Sequence, residues 1–100
     1  MSLTGTQKEM LHNLYRRQDA FRALCEWAEH RGNNAKVTTV TTVEDHTGLN
    51  TSRAIDLMEA IAATGIAEFK RGGGGRVSEL HWKDDVRVIG KAAREGLFSQ

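Results

Sequence analysis

Three cationic side chains and a run of glycines stand together in the second half of the chain. Lys70 and Arg71 precede the run, Arg76 follows it, and no acidic residue lies between Lys70 and Arg76. Cations at a flexible tip can bind the phosphates of a nucleic acid, which supplies affinity and salt dependence more than sequence choice. A glycine run can also direct backbone amides toward a phosphate, so Gly73 and Gly74 are candidate contacts, although the Gly-Lys-Ser/Thr ending of a nucleotide-binding loop is missing. The alternative is a hairpin tip with solvated charges.

A second group of candidate side chains lies earlier in the chain, where the sequence predicts the start of a helix. The candidates for contact with a nucleic acid in this group are Asn50, Thr51, Ser52, Arg53, Ile55 and Asp56. The hydroxyls of Thr51 and Ser52 can donate to phosphates or base edges, and Arg53 can bind guanine or phosphate. Ile55 can contact a thymine methyl group, whereas Asp56 repels phosphate unless it accepts from cytosine or orients Arg53. The alternative is an ordinary solvated helix face, but for Arg53 we favour a function.

Two short helices joined by a tight turn would position this second group. Thr41 and Glu44 have the spacing of a capping box, which predicts that a helix begins there. Gly48 follows closely and can adopt the positive φ that ends a helix. Asn50 or Thr51 then caps a second helix. The apolar residues that this helix would bury, at helical spacing, are Ala54, Leu57, Met58 and Ile61.

A β-hairpin is predicted directly after the second helix, which Gly65 would end. Residues 66–70 and 77–82 alternate in polarity on either side of the glycines, as the strands of a hairpin do. Helix, tight turn, helix and hairpin follow one another in a winged helix-turn-helix. We therefore expect a mainly α fold with a small antiparallel β-hairpin, the helix-turn-helix lying at about residues 41–64 and the wing at about 66–82.

The segment from residue 39 to residue 82 resembles the winged helix-turn-helix regulators of the MarR-like and ArsR-like families. The motifs that carry the resemblance are Gly48-Leu49-Asn50 before the second helix and Gly65-Ile66-Ala67 after it. The resemblance implies that the second helix enters the major groove of double-stranded DNA, with the wing on the backbone or in the minor groove. Small winged-helix adaptors of plasmid partition are similar as well. The metal-sensing ArsR-like members use clustered cysteines, which this chain lacks, so that activity is not implied.

Helices are also expected before this unit. Thr6 and Glu9 have the spacing of another capping box, which predicts one bent helix or two consecutive helices over residues 6–31. Asp19 is a possible cap for the second of them, and the glycine and asparagines at 32–34 would end it. The β-branched residues 37–40 are typical of the short strand that pairs with a wing.

A last helix is expected at about residues 84–98. Its apolar residues, at helical spacing, are Val86, Val88, Ile89, Ala92, Ala93 and Leu97, with Phe98 at the end. Such a stripe has no obvious place to be buried on a single subunit. In many winged-helix families a helix of this kind pairs with its twin across a two-fold axis, and the resemblance implies the same here. We therefore expect a homodimer through this helix, and the alternative is that it folds back on the helices before Arg31.

Composition excludes several classes of function. The 100 residues carry a net charge of +1 and one cysteine, Cys25, so an intrachain disulfide is impossible and a reducing cytoplasm is expected. No apolar run is long enough to span a membrane, and residues 1–6 lack the pattern of a signal peptide. The four histidines lack metal-ligand spacing, and no nucleophile accompanies a base in a recognisable motif. We expect no metal, cofactor or enzymatic activity, a flexible leader at 1–5 and one domain from residue 6 to residue 100.

Two classes of function remain. The first is sequence-specific binding of double-stranded DNA by a small homodimeric transcriptional regulator, or by its close variant, a centromere-binding partition adaptor of a plasmid or phage. The second is a winged helix used as a protein–protein interaction module within a larger assembly. The near-zero net charge and the acids Asp56 and Glu59 favour the second class. The basic wing and the short polar side chains at the start of the helix favour DNA, which we expect.

Overall fold

The computed structural model describes residues 3–30, 36–84 and 86–96 of the chain. Its helices are α1 (Gly5–Arg17), α2 (Asp19–His30), α3 (Val40–Thr47), α4 (Thr51–Ala63) and α5 (Val86–Arg94). Its strands are β1 (Val37–Thr39), β2 (Ala67–Lys70) and β3 (Glu79–Trp82). The predicted fold class is confirmed, because the described residues are mainly helical with a small antiparallel sheet of three strands. None of the described helices has the length and apolar character that crossing a membrane requires.

The first helix of the predicted helix-turn-helix, α3, starts at a different cap from the expected one. Thr39 is the N-cap, extended at φ −85° and ψ 160°, and its hydroxyl accepts from the Thr42 amide at 3.3 Å. The predicted capping box of Thr41 and Glu44 is therefore wrong, because strand β1 ends at Thr39 and leads directly into the helix. The predicted end is confirmed: Gly48 has a φ of 73°, and its amide donates to the Glu44 carbonyl at 2.9 Å.

Helix α4 follows the prediction closely. Asn50 is its N-cap, and the side chain accepts from the Arg53 amide at 2.9 Å. The predicted apolar residues Ala54, Leu57, Met58 and Ile61 are all buried. Gly65 has a φ of 88° just after the helix, which is the left-handed conformation that commonly ends helices. The spacing of apolar residues therefore gave the correct buried face.

The sheet joins the residues before the helix-turn-helix to the hairpin after it. Its strand order is β1-β3-β2, both pairs being antiparallel, and the predicted strands are present but shorter than expected. Within the sheet, the buried indole of Trp82 donates to the Thr38 hydroxyl at 2.8 Å across 44 positions of sequence. The sheet thus joins the two ends of the segment that contains the helix-turn-helix.

Two helices, rather than one bent helix, precede the sheet. The break is at Gln18, the cap that follows the last residue of α1, and Asp19 is the first residue of α2. The guanidinium of Arg22 donates to the carbonyls of Tyr15 at 2.6 Å and Arg16 at 3.0 Å. It thereby satisfies acceptors that the end of α1 leaves unpaired. Residues 32–34, which were expected to end α2, lie outside the described residues.

The start of α1 also differs from the prediction. Thr4 and Gln7 form the capping box: the Thr4 hydroxyl accepts from the Gln7 amide, and the Gln7 side chain accepts from the Thr4 amide. The expected box of Thr6 and Glu9 is wrong because Thr6 is already inside the first turn. Leu3 packs against the core, so residues 3–5 of the expected leader belong to the folded part, and residues 1 and 2 lie outside the described range.

Helix α5 packs against α2 within the same chain. Of the expected stripe, Val86, Ile89, Ala92 and Ala93 are buried, whereas Val88 remains 40 % exposed. Leu97 and Phe98 lie outside the described residues. The premise that one subunit offers no place for this stripe is therefore wrong, because α2 covers it. The homodimer itself stays a prediction.

Gly90 permits this packing. A Cβ atom at Gly90 would lie 2.4 Å from the Glu29 amide nitrogen and 2.5 Å from the Cys25 carbonyl oxygen. These are backbone atoms of α2, which cannot rotate away as the end of a side chain can. The glycine is therefore explained by close helix approach, even though glycine inside a helix costs roughly 1 kcal/mol relative to alanine.

Gly90→Ala should lower the free energy of unfolding by about 1–3 kcal/mol, because overpacking against α2 exceeds the gain in helix propensity. Urea unfolding followed by circular dichroism measures this. Gly5→Ala is the matched control, since a Cβ there meets no atom within 4 Å. Unchanged or increased stability of the Gly90 variant would contradict the close approach.

Candidate nucleic-acid interface

The outward face of α4 carries the second group of candidate residues. Ser52, Arg53 and Asp56 are exposed, and so is Glu59. Ile55 differs from them because it is half-buried and packs against the core. Only part of the Ile55 side chain is therefore accessible to a ligand, whereas the polar groups of the exposed residues are accessible.

The two residues at the start of α4 already have partners in the chain. The Asn50 side-chain oxygen accepts from the Arg53 amide at 2.9 Å, and the Thr51 hydroxyl donates to the Glu44 carboxylate at 2.9 Å. Thr51 can donate to a phosphate only after leaving Glu44. The contact of Glu44 was missed by sequence reasoning, which assigned that carboxylate to the start of its own helix.

Glu44 therefore places a negative charge beside the amino end of α4. A carboxylate at this end is favourable because the first amides of a helix carry partial positive charge. The same charge repels a phosphate, so it limits which side of α4 a polyanion can approach. The tight turn at Gly48, which brings Glu44 and Thr51 together, is the sequence signal that could have indicated this contact.

Arg53 and Asp56 line one cleft beside α4, together with Leu14 and Gln18 of the α1 end. Among the described residues, neither Arg53 nor Asp56 forms an ion pair. Of the two roles considered for Asp56, the orientation of Arg53 is therefore not seen in this structure. The guanidinium of Arg53 is available to a ligand.

The glycine-rich loop, defined as residues 71–78, is folded rather than simply flexible. The Arg76 amide donates to the Gly73 carbonyl at 3.1 Å, and the Gly72 amide donates to the buried Ser78 hydroxyl at 3.0 Å. Gly74 has a φ of 58°. A Cβ at Gly72 would lie 2.2 Å from the Arg76 carbonyl oxygen. Glycine is therefore required at Gly72 by the returning chain, whereas Gly73 lies in open space.

The cations of this loop point into solvent. Lys70, at the end of β2, and the loop residues Arg71 and Arg76 are exposed. In the part of the chain that the structure describes, none of the three makes an ion pair. Strand β2 packs against α4, so the loop extends from a strand fixed to the helix that carries Arg53. The two predicted groups thus belong to neighbouring elements.

Other reactive side chains have structural roles. Burial raises the pKa of the Cys25 thiol to about 12, which keeps it protonated and unreactive at neutral pH. The ring of His46 stacks on Trp27 of α2, with ring centroids 4.9 Å apart. Within residues 3–30, 36–84 and 86–96, no three histidine, cysteine or acidic residues come together as ligands for a metal ion.

Asn50→Ala should lower the free energy of unfolding by about 1 kcal/mol, because the Arg53 amide loses the acceptor that caps α4. Asn50→Asp keeps an acceptor and should leave stability nearly unchanged. Ser52→Ala, two residues further along at an exposed site, is the control and should shift the free energy of unfolding by less than about 0.5 kcal/mol. Urea titration of the three variants checks this, and equal stability of the Ala and Asp variants at position 50 would exclude the cap.

No protein-family model, curated protein or solved structure matches this chain. The resemblance to winged-helix regulators therefore stays a hypothesis, and its support is the residues and geometry described above.

Proposed function

We propose that this chain binds double-stranded DNA with sequence specificity, as a small homodimeric transcriptional regulator. A centromere-binding partition adaptor of a plasmid or phage is a close variant, because it would use the same surface on DNA. A reducing cytoplasm fits both, since the one cysteine is a buried thiol. The order of α3, Gly48, α4 and hairpin supports the proposal, as this arrangement presents a helix to the major groove in helix-turn-helix proteins.

The observation that carries the proposal is the unpaired basic loop on the strand that packs against α4. Lys70, Arg71 and Arg76 have no acidic partner among the described residues. A cation that is exposed and unpaired keeps its full charge for a phosphate, and each phosphate contact releases counterions from DNA. The loop would lie on the backbone or in the minor groove beside the groove that α4 occupies.

Sequence choice would come from the first turns of α4. Ser52 and Arg53 are exposed there, and the amino-terminal residues of such a helix reach base edges. Arginine bound to guanine by two hydrogen bonds discriminates against other bases by about 1–3 kcal/mol. Asp56 does not pair with Arg53 in this structure, which leaves the other role considered for it, accepting from a cytosine amino group.

The homodimer is part of the same proposal. Because α2 covers the apolar stripe of α5, a second copy would have to use the outer face of α5, where Val88 is 40 % exposed. Arg87 and Lys91 flank Val88 on that face. Two copies related by a two-fold axis would read half-sites about one helical turn apart, roughly 10 base pairs.

A protein–protein interaction module is the second candidate function. The observations that favour it are the exposed acids Asp56 and Glu59 on the outward face of α4 and the bond between Thr51 and Glu44. Both place negative charge on the face that would meet DNA. A basic protein surface would fit this face better than a nucleic acid would.

Selection of bound sequences from random duplex DNA, at two salt concentrations, tests the proposed function. We expect one enriched site, because Arg53 reads a base, and two half-sites if the chain dimerises. Closely spaced direct repeats would favour the partition adaptor over the regulator. With Arg53→Ala, the preference should be lost at one position. Absence of enrichment at low salt would reject DNA recognition in favour of the interaction module.

Replacing both Arg71 and Arg76 with alanine should weaken binding to all duplex sequences alike. Two lost phosphate contacts reduce the slope of log affinity against log salt by about one to two. Fluorescence anisotropy over a salt series measures this slope. The matched control removes the same charge elsewhere, with Lys8→Ala on α1 and Lys83→Ala after β3, both at exposed positions. Equal slopes for the loop variant and the wild type would exclude the loop as a backbone contact.

A further inference from the structure

Helix α1 runs antiparallel to α4 along one side. At one end, the Gln7 side chain of α1 lies 2.7 Å from the position of a Cβ on Gly65, just after α4. At the other end, Gln18 lines the same cleft as Arg53 and Asp56, near the start of α4. Gln18, the residue after α1, therefore lies beside the amino-terminal half of α4, the half proposed to enter the major groove, and Arg17 lies beside the carboxyl-terminal half.

Arg17 is the cation on this side of α1. It lines a cleft with Asn13 of α1, with Gln18, and with Ala60 and Thr64 in the carboxyl-terminal part of α4 and its cap. Its side chain is exposed, and among the described residues it makes no ion pair. Arg16 is equally exposed at the same helix end, but successive helical residues point about 100° apart, and Arg16 does not line this cleft.

The end of α1 is also electrostatically suitable for a polyanion. The carboxyl end of a helix carries partial negative charge that would repel phosphate. Here the Arg22 guanidinium donates to the last carbonyls, those of Tyr15 and Arg16. Arg22 offsets this partial charge but also pairs with the exposed Asp19 carboxylate, so the net positive charge at this helix end comes from Arg16 and Arg17.

With α4 in the major groove, the usual spacing of packed helices would place α1 over the edge of that groove. Packed helices lie about 8–10 Å apart between axes, and the major groove is about 12 Å wide. With α4 inside the groove, a neighbour packed along its side cannot enter the same groove. It lies instead above the sugar-phosphate strand that forms the groove wall.

We propose that Arg17 binds a backbone phosphate of DNA, so that the protein contacts the groove wall from α1 as well as from the glycine-rich loop. The inference rests on the proposed DNA binding and adds a third contacting element to it. The ligand is the phosphodiester backbone, which carries no sequence information. Arg17 would therefore set affinity and the orientation of α4, while Arg53 sets the choice of base.

The experiment compares Arg17→Ala with Arg16→Ala and Arg17→Lys. The probe is a fluorescent duplex of mixed sequence, about three helical turns long, roughly 30 base pairs. Arg17→Ala should bind about three- to tenfold more weakly near 0.1 M salt, with a salt slope lower by about one. Arg17→Lys should keep the slope, and Arg16→Ala should match the wild type. The two alanine variants should have the same melting temperature, because each loses one positive charge at the same helix end.

The possible failures are distinguishable. Wild-type affinity of Arg17→Ala, while the Arg71 and Arg76 variant binds weakly, would overturn the role of Arg17 and leave DNA binding intact. An equal loss in the variants at positions 16 and 17 would also overturn it, because net charge alone would explain the loss. Failure of the wild type to bind the duplex at low salt would overturn the proposed function together with this inference.

Discussion

The geometry of the candidate interface depends on the three residues that join α3 to α4. Within them, the chain must end one helix, reverse direction and begin another. Gly48 supplies the left-handed conformation, and its amide donates to the Glu44 carbonyl. Asn50 then caps α4, and the Glu44 carboxylate accepts from Thr51 across the turn. These contacts set the direction of α4. Strand β2 packs on α4, so the direction of α4 also determines where β2 and the glycine-rich loop lie.

The features that the sequence predicted correctly are those with a local physical signal. The left-handed glycine at 48, the cap at Asn50 and the four buried apolar residues of α4 depend on neighbours within one or two turns. The capping boxes expected at Thr41 and Thr6 failed because in each case the threonine two residues earlier, Thr39 or Thr4, is the N-cap. The end of β1 at Thr39 selects one register, and the packing of Leu3 favours an earlier start of α1. Those are tertiary constraints.

The surface against which α5 packs and the contacts around the candidate site were less predictable, because both depend on tertiary structure. The apolar spacing identified most of the buried residues of α5, but the surface that covers them depends on Gly90 and on the backbone of α2. The cations and glycines of the basic loop are adjacent in the sequence and could be recognised there. The hydrogen bond from Thr51 to Glu44 and the approach of Arg17 to α4 arise only on folding. Residues far apart in sequence give no local pattern that would reveal such contacts.

The bond between Trp82 and Thr38 has a consequence for how the molecule comes apart. It closes a segment of 44 positions, and this segment contains both α4 and the glycine-rich loop. Closing so long a segment costs chain entropy, so the pairing of β1 with β3 is a non-local step that follows the formation of local helices. Once formed, it holds the segment at both ends, and neither end can fray alone. We therefore expect partial opening of the native chain to begin in the flanking helices, with the helix and the loop proposed to meet DNA retained or lost as one cooperative unit.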